Sequence, residues 1–144
     1  SKNYLAAYYQ QRQLQFGILD MAWHTLKELP AEGTLEFEKK ALESSRIIYP
    51  EPSCCTSASF SHIFKGGYAA GYYSYKWAEV LEADAFALFK EKGIFNTEVS
   101  GSFRENILSK GSTEYEAVLY RNFRGHDPEP EALLEKLGIT ASKK

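Results

Sequence analysis

Apolar side chains recur at helical intervals along almost the whole of this chain, and the one stretch where they stop doing so is Glu51–Gly67. That pattern constrains the fold more than any other feature, because a helical period cannot be laid down as a strand without sending half of its apolar residues to solvent. From about Asn3 to Leu29, the residues Leu5, Tyr8, Tyr9, Phe16, Leu19, Trp23 and Leu26 keep helical spacing, while Gln10, Gln11, Arg12 and Gln13 fall on the opposite side. Pro30 and Gly33 end this first helix. Thr34 is placed to cap a second one, with Glu36 and Glu38 set to favour the positive end of its dipole, and that helix runs to about Ile47, ahead of Pro50 and Pro52.

The central loop follows, rich in Ser, Thr and Cys and closed by Gly66-Gly67, with room for a short strand. A third long helix is expected from about Tyr68 to Lys92, stopped by Gly93. Asn96 or Thr97 opens a fourth, with Val99, Phe103 and Ile107 on one face. Thr113 and Glu116 have the spacing of a capping box for a fifth, which ends near Gly125. Pro130 starts a last short helix carrying Leu133, Leu134 and Leu137, stopped at Gly138. The expected class is all-α, about six helices around one long central loop, in a single helical domain over residues 1–144.

Composition narrows the function. With 144 residues, 44% hydrophobic and 25% charged, the chain can bury a core of its own. A net charge of −2 argues against nucleic acid as a partner, since phosphate binding needs clustered Lys and Arg. No apolar run is long enough to span a bilayer, so no membrane partner is expected. Cys54 and Cys55 are adjacent, a geometry that rarely bridges, and two thiols alone do not complete a zinc tetrahedron. They read as reduced, which points to a cytoplasmic setting.

Ten Tyr and nine Phe bring the aromatic share to 15%, and the tyrosines concentrate beside the loop. Tyr68, Tyr72 and Tyr75 stand at i, i+4 and i+7 of the expected third helix, three phenols on one face, with His62 in the loop six residues ahead of the first. Such a stripe serves core packing more often than chemistry, and a single histidine is more often a satisfied polar group than a catalyst. On spacing alone, packing and a polar site both remain open.

The residues around this constellation carry a resemblance. Phe60-Ser61-His62-Ile63-Phe64-Lys65-Gly66-Gly67-Tyr68-Ala69-Ala70-Gly71-Tyr72-Tyr73-Ser74-Tyr75-Lys76-Trp77 resembles a signature of the zinc oligopeptidase family of thimet oligopeptidase, oligopeptidase A and peptidyl-dipeptidase. Arg12-Gln13-Leu14-Gln15-Phe16 with Leu19-Asp20 is similar to a second block of that family. Ala83-Asp84-Ala85-Phe86, Gly93-Ile94-Phe95-Asn96, Ile107-Leu108-Ser109-Lys110-Gly111 and Phe123-Arg124-Gly125-His126-Asp127-Pro128 resemble its C-terminal blocks, so the likeness covers nearly the whole chain.

The resemblance implies the C-terminal part of a zincin-type helical catalytic domain that hydrolyses short peptides. It implies Tyr75 as the phenol donating a hydrogen bond to the oxyanion of the tetrahedral intermediate, His62 as a loop residue contacting substrate, Tyr68 as a substrate-contacting phenol and Tyr72, on the same face, as a further substrate-binding residue. It also implies zinc in the full-length enzyme, held by an H-E-x-x-H helix and a later Glu. This chain has no such motif. Its three histidines, His24, His62 and His126, are unrelated in spacing, and His24 with Glu28 reads as an ordinary solvated pair. No metal is therefore expected on these residues. The zinc ligands are expected on an upstream half of the same polypeptide, and the isolated chain is expected to be inactive. Gly111-Ser112-Thr113-Glu114, shorter than the turn of many oligopeptidases, leans towards the peptidyl-dipeptidase branch. Surfaces shaped to be covered by that half should drive self-association, through Tyr8, Tyr9 or the Tyr72 face. The rival readings are a helical interaction module with a tyrosine-rich face and a small non-catalytic ligand-binding bundle.

Overall fold

The computed structural model describes residues 4–46 and 55–139, and among these residues all regular structure is helical. Seven α-helices take the place of the six expected: α1 (Ala6–His24), α2 (Thr34–Ala41), α3 (Thr56–Ser59), α4 (Ser74–Lys92), α5 (Thr97–Phe103), α6 (Glu116–Arg124) and α7 (Glu131–Lys136). The additional helix is α3, which together with a 3₁₀ turn at Ser61–Ile63 occupies the central loop where a short strand had room. The chain divides into two compact units, Ser1–Lys76 and Trp77–Lys144.

In the first unit α1 is the organising element. Phe16, Leu19, Asp20 and Trp23, spaced i, i+3, i+4 and i+7, form its inner face. Phe16 and Leu19 pack with Ile63 of the loop and Tyr72, and Trp23, Ala41, Leu42 and Phe60 close around them. Leu19 and Ile63 are fully buried, each contributing about 1.5–3 kcal/mol of transfer free energy. The helix is shorter than its apolar pattern at both ends. Leu5 precedes it in a left-handed conformation, and Thr25 ends it by donating its hydroxyl to the Met21 carbonyl at 2.8 Å. Gly33, with φ of 84°, takes the capping position before α2, and Thr34 is already the first helical residue. After Ala41 a 3₁₀ turn, Glu43–Ser45, ends the element; its Ser45 carbonyl accepts from the side chains of Gln11 and Gln15 at 2.7 and 2.6 Å. Ile47, the expected end of the second helix, and Cys54 lie outside the described residues.

The second unit is built from α5, α6, α7 and the part of α4 that follows Lys76. Phe89, Phe103 and Phe123 meet edge to face and tilted, with ring centroids 5.1–6.2 Å apart. Asp84, almost fully buried, accepts from the Tyr120 hydroxyl at 2.5 Å and from the Arg124 guanidinium at 3.3 Å, while Arg124 Nε donates to the Asp84 carbonyl at 2.9 Å. Burial and then this bond to Asp84 push the Tyr120 phenol well above its ordinary pKa. Asn96 caps α5 as expected, its side chain accepting from the Glu98 and Val99 amides at 2.9 and 3.1 Å. A five-residue π-helical turn, Arg104–Leu108, extends α5.

The capping box read at Thr113 and Glu116 is not formed. Helix α6 starts at Glu116 with Tyr115 in the capping position, so Glu116 is the first helical residue rather than the third. The Tyr115 amide is met instead by the Glu114 carboxylate at 2.8 Å. Against these helices lies an open apolar groove of about 980 Å³, lined among others by Leu81, Phe86, Phe103, Ile107 and Leu119.

Candidate functional site

The four residues singled out in the sequence do converge, though not by the route expected. Helix α4 begins at Ser74, so Tyr68 and Tyr72 stand in consecutive turns ahead of it and the three phenols do not share one helical face. Gly71 likewise lies in these turns rather than inside a helix. Folding the 64–73 segment back on itself brings the rings together all the same. Tyr68 and Tyr75 stack with an interplanar angle of 12° and centroids 5.3 Å apart, and Tyr72 tilts against Tyr75 at 5.1 Å. The His62 imidazole stands edge-on to all three, 4.6 Å from Tyr68, 5.5 Å from Tyr72 and 5.8 Å from Tyr75. Its Nε2 is 3.3 Å from the Tyr75 hydroxyl.

These turns need conformations that most residues avoid. Gly66 and Gly67 sit at φ of 71° and 79°, where the missing Cβ removes the penalty. Ala70, at φ of 56°, has no such exemption, and the left-handed region costs an alanine about 1–2 kcal/mol. The compensation comes from α1, fifty residues earlier. Asp20 is fully buried (0% exposed) and its two carboxylate oxygens accept the Ala70 and Tyr72 amides, each at 2.9 Å. His24 Nδ1 lies 2.9 Å from the same carboxylate and 2.8 Å from the Asp20 carbonyl, and two acceptors at that range require Nδ1 to carry the proton. His24 is thus bound to Asp20, and its expected pairing with Glu28 is not made within α1, which ends at His24.

The loop before His62 is fixed by a second carboxylate. Glu38 of α2, 6% exposed, accepts the Thr56 amide at 2.9 Å and both the amide and the hydroxyl of Ser57 at 2.7 Å. Burial acts to raise this carboxyl, but the Ser57 and Thr56 donors outweigh it and hold it below the ordinary carboxylate value. Trp23 Nε1 donates to the Ser57 hydroxyl at 2.7 Å, and the Cys55 thiol is free, 3.5 Å from Glu38. Neither Asp20 nor Glu38 was singled out as functional in the sequence. The available signal was an acidic residue sitting in line with an apolar face, as Asp20 does with Phe16, Leu19 and Trp23.

The four rings differ in what they can offer. Tyr72 is buried, and its hydroxyl donates to Gln13 Oε1 at 3.1 Å; burial raises its phenol, with Arg12 opposing. Phe16 and Phe60, stacked 4.4 Å apart, meet it edge to face from behind. Tyr75, by contrast, is 39% exposed. Hydrogen bonding with Tyr68, then desolvation and the nearby Tyr68 and Tyr72 phenols, push Tyr75 up to about 12, so it stays a protonated donor across the neutral range. A neutral hydroxyl, open to solvent and aligned by an imidazole, suits a hydrogen bond to an oxygen that acquires charge during a reaction.

Metal chemistry finds no support on these residues. Among the described residues no group of three or more His, Cys, Asp and Glu could hold a metal ion, so the residues present do not fit zinc. Among them, too, no helix is long and apolar enough to cross a membrane.

Residues 1–139 match the profile of Peptidase family M3. Oligopeptidase A of Escherichia coli (strain K12) is 48% identical over 141 residues, covering 96% of this chain and 21% of that protein. Probable cytosolic oligopeptidase A of Arabidopsis thaliana is 43% identical over 137 residues, 91% of this chain and 19% of that protein. Dipeptidyl carboxypeptidase of Escherichia coli (strain K12) is 40% identical over 134 residues, 92% of this chain and 20% of that protein. The chain therefore spans about a fifth of the length of the curated relatives it matches. With the family profile matched from residue 1 to residue 139 and the His/Tyr signature folded into one cluster, this chain belongs to peptidase family M3.

Proposed function

We propose that this chain is the substrate-binding part of a zinc metallopeptidase that hydrolyses short peptides, with Tyr75 as the oxyanion donor. The observation that carries the reading is the exposed Tyr75 hydroxyl, held neutral among Tyr68, Tyr72 and His62 with His62 Nε2 at 3.3 Å. When water adds to a peptide carbonyl, its oxygen becomes an oxyanion. A phenol aimed at that oxygen stabilises the transition state more than the ground state, which is what raises turnover. Tyr68, stacked on Tyr75, and His62, half-buried at the same edge, are placed to contact the peptide beside the scissile bond. Tyr72 fits a backing role better than the substrate contact first expected of it, since its hydroxyl is engaged by Gln13.

Zinc in this proposal is a property of the full-length enzyme, supplied with ligands from outside the described residues, where it would serve as the Lewis acid of the reaction. The 144 residues by themselves are expected to be inactive. On the choice of branch, the Gly111 turn leans towards dipeptide release, whereas 48% identity to an oligopeptidase A against 40% to a dipeptidyl carboxypeptidase leans towards internal cleavage, and we favour the latter. Cytoplasmic residence accords with the free Cys55 and with a relative named as cytosolic. Self-association of the isolated chain is expected through Tyr4, Tyr8 and Tyr9, all exposed, rather than through Tyr72, which is buried.

The test is zinc content together with hydrolysis of a quenched peptide, measured on this chain and on the product of its full reading frame. Zinc and cleavage confined to the longer product are expected. Stoichiometric zinc and cleavage by the 144 residues alone would overturn the assignment of the metal to other residues, and no cleavage by either would remove the peptidase reading.

A further inference from the structure

We propose that Asp20 is a positioning residue for the reaction: it holds the Ala70–Tyr72 turn in a conformation that turn would not keep alone, and so fixes where Tyr75 and His62 point. The inference rests on the peptidase reading above. Three observations converge on it. First, the carboxylate is fully buried and accepts two backbone amides of one turn, Ala70 and Tyr72, both at 2.9 Å. A buried carboxylate is costly without compensating donors, and here two of its three donors belong to the segment that carries the phenols. Second, the turn contains an alanine at φ of 56°, a conformation that persists only where the surroundings over-determine it. Third, the turn runs directly into the cluster. Tyr72 packs against Tyr75 and His62, and the Tyr75 amide donates to the Tyr72 carbonyl at 3.3 Å.

His24 completes the device from the same helix. Its Nδ1–H donates to Asp20, one turn of α1 away, and meets the same carboxylate oxygen, Oδ1, that accepts the Ala70 amide. Asp20 touches none of the reactive groups itself. Its effect passes through two amides, and a displacement of the Tyr75 hydroxyl of about 1 Å is enough to lower a rate by about 100-fold.

Two variants separate this role from a general contribution to the core. Asp20→Asn keeps the shape but turns one acceptor into a donor facing an amide. Ala70→Val leaves Asp20 intact and sits on the surface, but a β-branched residue is forced out of the left-handed region, so it displaces the same turn without touching the core. Both are made in the full-length enzyme and followed by kcat and KM on a quenched peptide; Tyr75→Phe is made alone and combined with each. The amide exchange of residues 70 and 72 is measured in parallel on the 144-residue chain.

Each variant is expected to lower kcat by about 10- to 100-fold with KM changed less than about threefold. Combined with Tyr75→Phe, each is expected to add little to the loss from that change alone, because both act through one hydroxyl. Exchange at residues 70 and 72 should accelerate while that of Leu19 holds. Unchanged kcat in Ala70→Val, or losses that multiply with Tyr75→Phe, would overturn the positioning role. Should Tyr75→Phe itself leave kcat untouched, the peptidase assignment of Tyr75 fails instead. The exchange measurement would then still decide separately whether Asp20 holds the turn.

Discussion

The two compact units use the same chemical device, a buried carboxylate, for opposite ends. In the first, Asp20 and Glu38 accept mainly backbone amides of the segments leading to the cluster, at Ala70 and Tyr72 in the turns before α4 and at Thr56 and Ser57 where the short helix α3 begins. In the second, Asp84 accepts from side chains on α6, the Tyr120 hydroxyl and the Arg124 guanidinium. A carboxylate that satisfies amides gives order to a chain segment with no ladder of its own, and that segment can then carry exposed functional groups. One that satisfies side chains pins helices whose backbone is already satisfied. The first unit accordingly presents a polar, ring-lined edge built on turns, and the second an aromatic core and an apolar groove.

The largest effect that would sharpen this contrast is expected in the second unit. Asp84→Ala leaves the Arg124 guanidinium, 14% exposed, without its carboxylate and the Tyr120 hydroxyl with only the Leu81 carbonyl, at 3.4 Å. A loss of about 3–5 kcal/mol is expected, read as a fall in the urea midpoint. A change below about 1 kcal/mol would mean that the Phe89, Phe103 and Phe123 packing holds these helices without the network.

Acid should act on the first unit through Glu38. Because the folded Glu38 carboxyl is held below its ordinary value of 4.5, the stability it contributes is complete above that value and is lost as pH falls through the lowered one. Glu38→Gln is expected to cost about 1–3 kcal/mol at neutral pH and to flatten the acid limb, seen by Trp23 fluorescence, since Trp23 bonds the same Ser57. An unchanged acid limb would break the claim that Glu38 orders the loop. Alkali should act on the second unit through Tyr120. The Tyr120 phenol is raised, so its contribution is present below its ordinary pKa of 10 and lost as pH climbs beyond it; Tyr120→Phe should weaken that dependence. The smallest effect is local. Asn96→Ala removes the cap of α5 and should cost about 1 kcal/mol in thermal unfolding, with the His62 cluster unaffected.

How far the sequence could be read follows the same division. Helical periodicity locates α1, α5, α6 and α7, and the Asn96 cap and the stops at Gly93, Gly125 and Gly138 are legible because they depend on neighbours within a few residues. The start of α4 is misplaced by six residues because Tyr68–Tyr73 has a helical pattern, whereas its conformation is decided by Asp20, fifty residues distant. The spacing of Tyr68, Tyr72 and Tyr75 thus groups residues that do cluster, through a helical geometry they do not adopt. Thr113 and Glu116 show the converse, a local motif of the right spacing that the turn at Lys110–Thr113 leaves unused. Glu38 was read as complementing a dipole, but it is buried and reaches across to the loop, a contact between segments that no local pattern encodes.

The central claim is that Tyr75 donates to the oxyanion from a cluster the chain itself assembles. The most direct measurement is kcat and KM of the full-length enzyme carrying Tyr75→Phe, at several pH values. A fall in kcat of about 100- to 1,000-fold, with KM nearly unchanged, is the expected result. With the Tyr75 phenol pushed up to about 12, no loss of wild-type turnover between pH 8 and about 10 should be traceable to its ionisation. Undiminished kcat in Tyr75→Phe, or a loss confined to KM, would contradict the account and leave the Tyr75 phenol as packing against Tyr68.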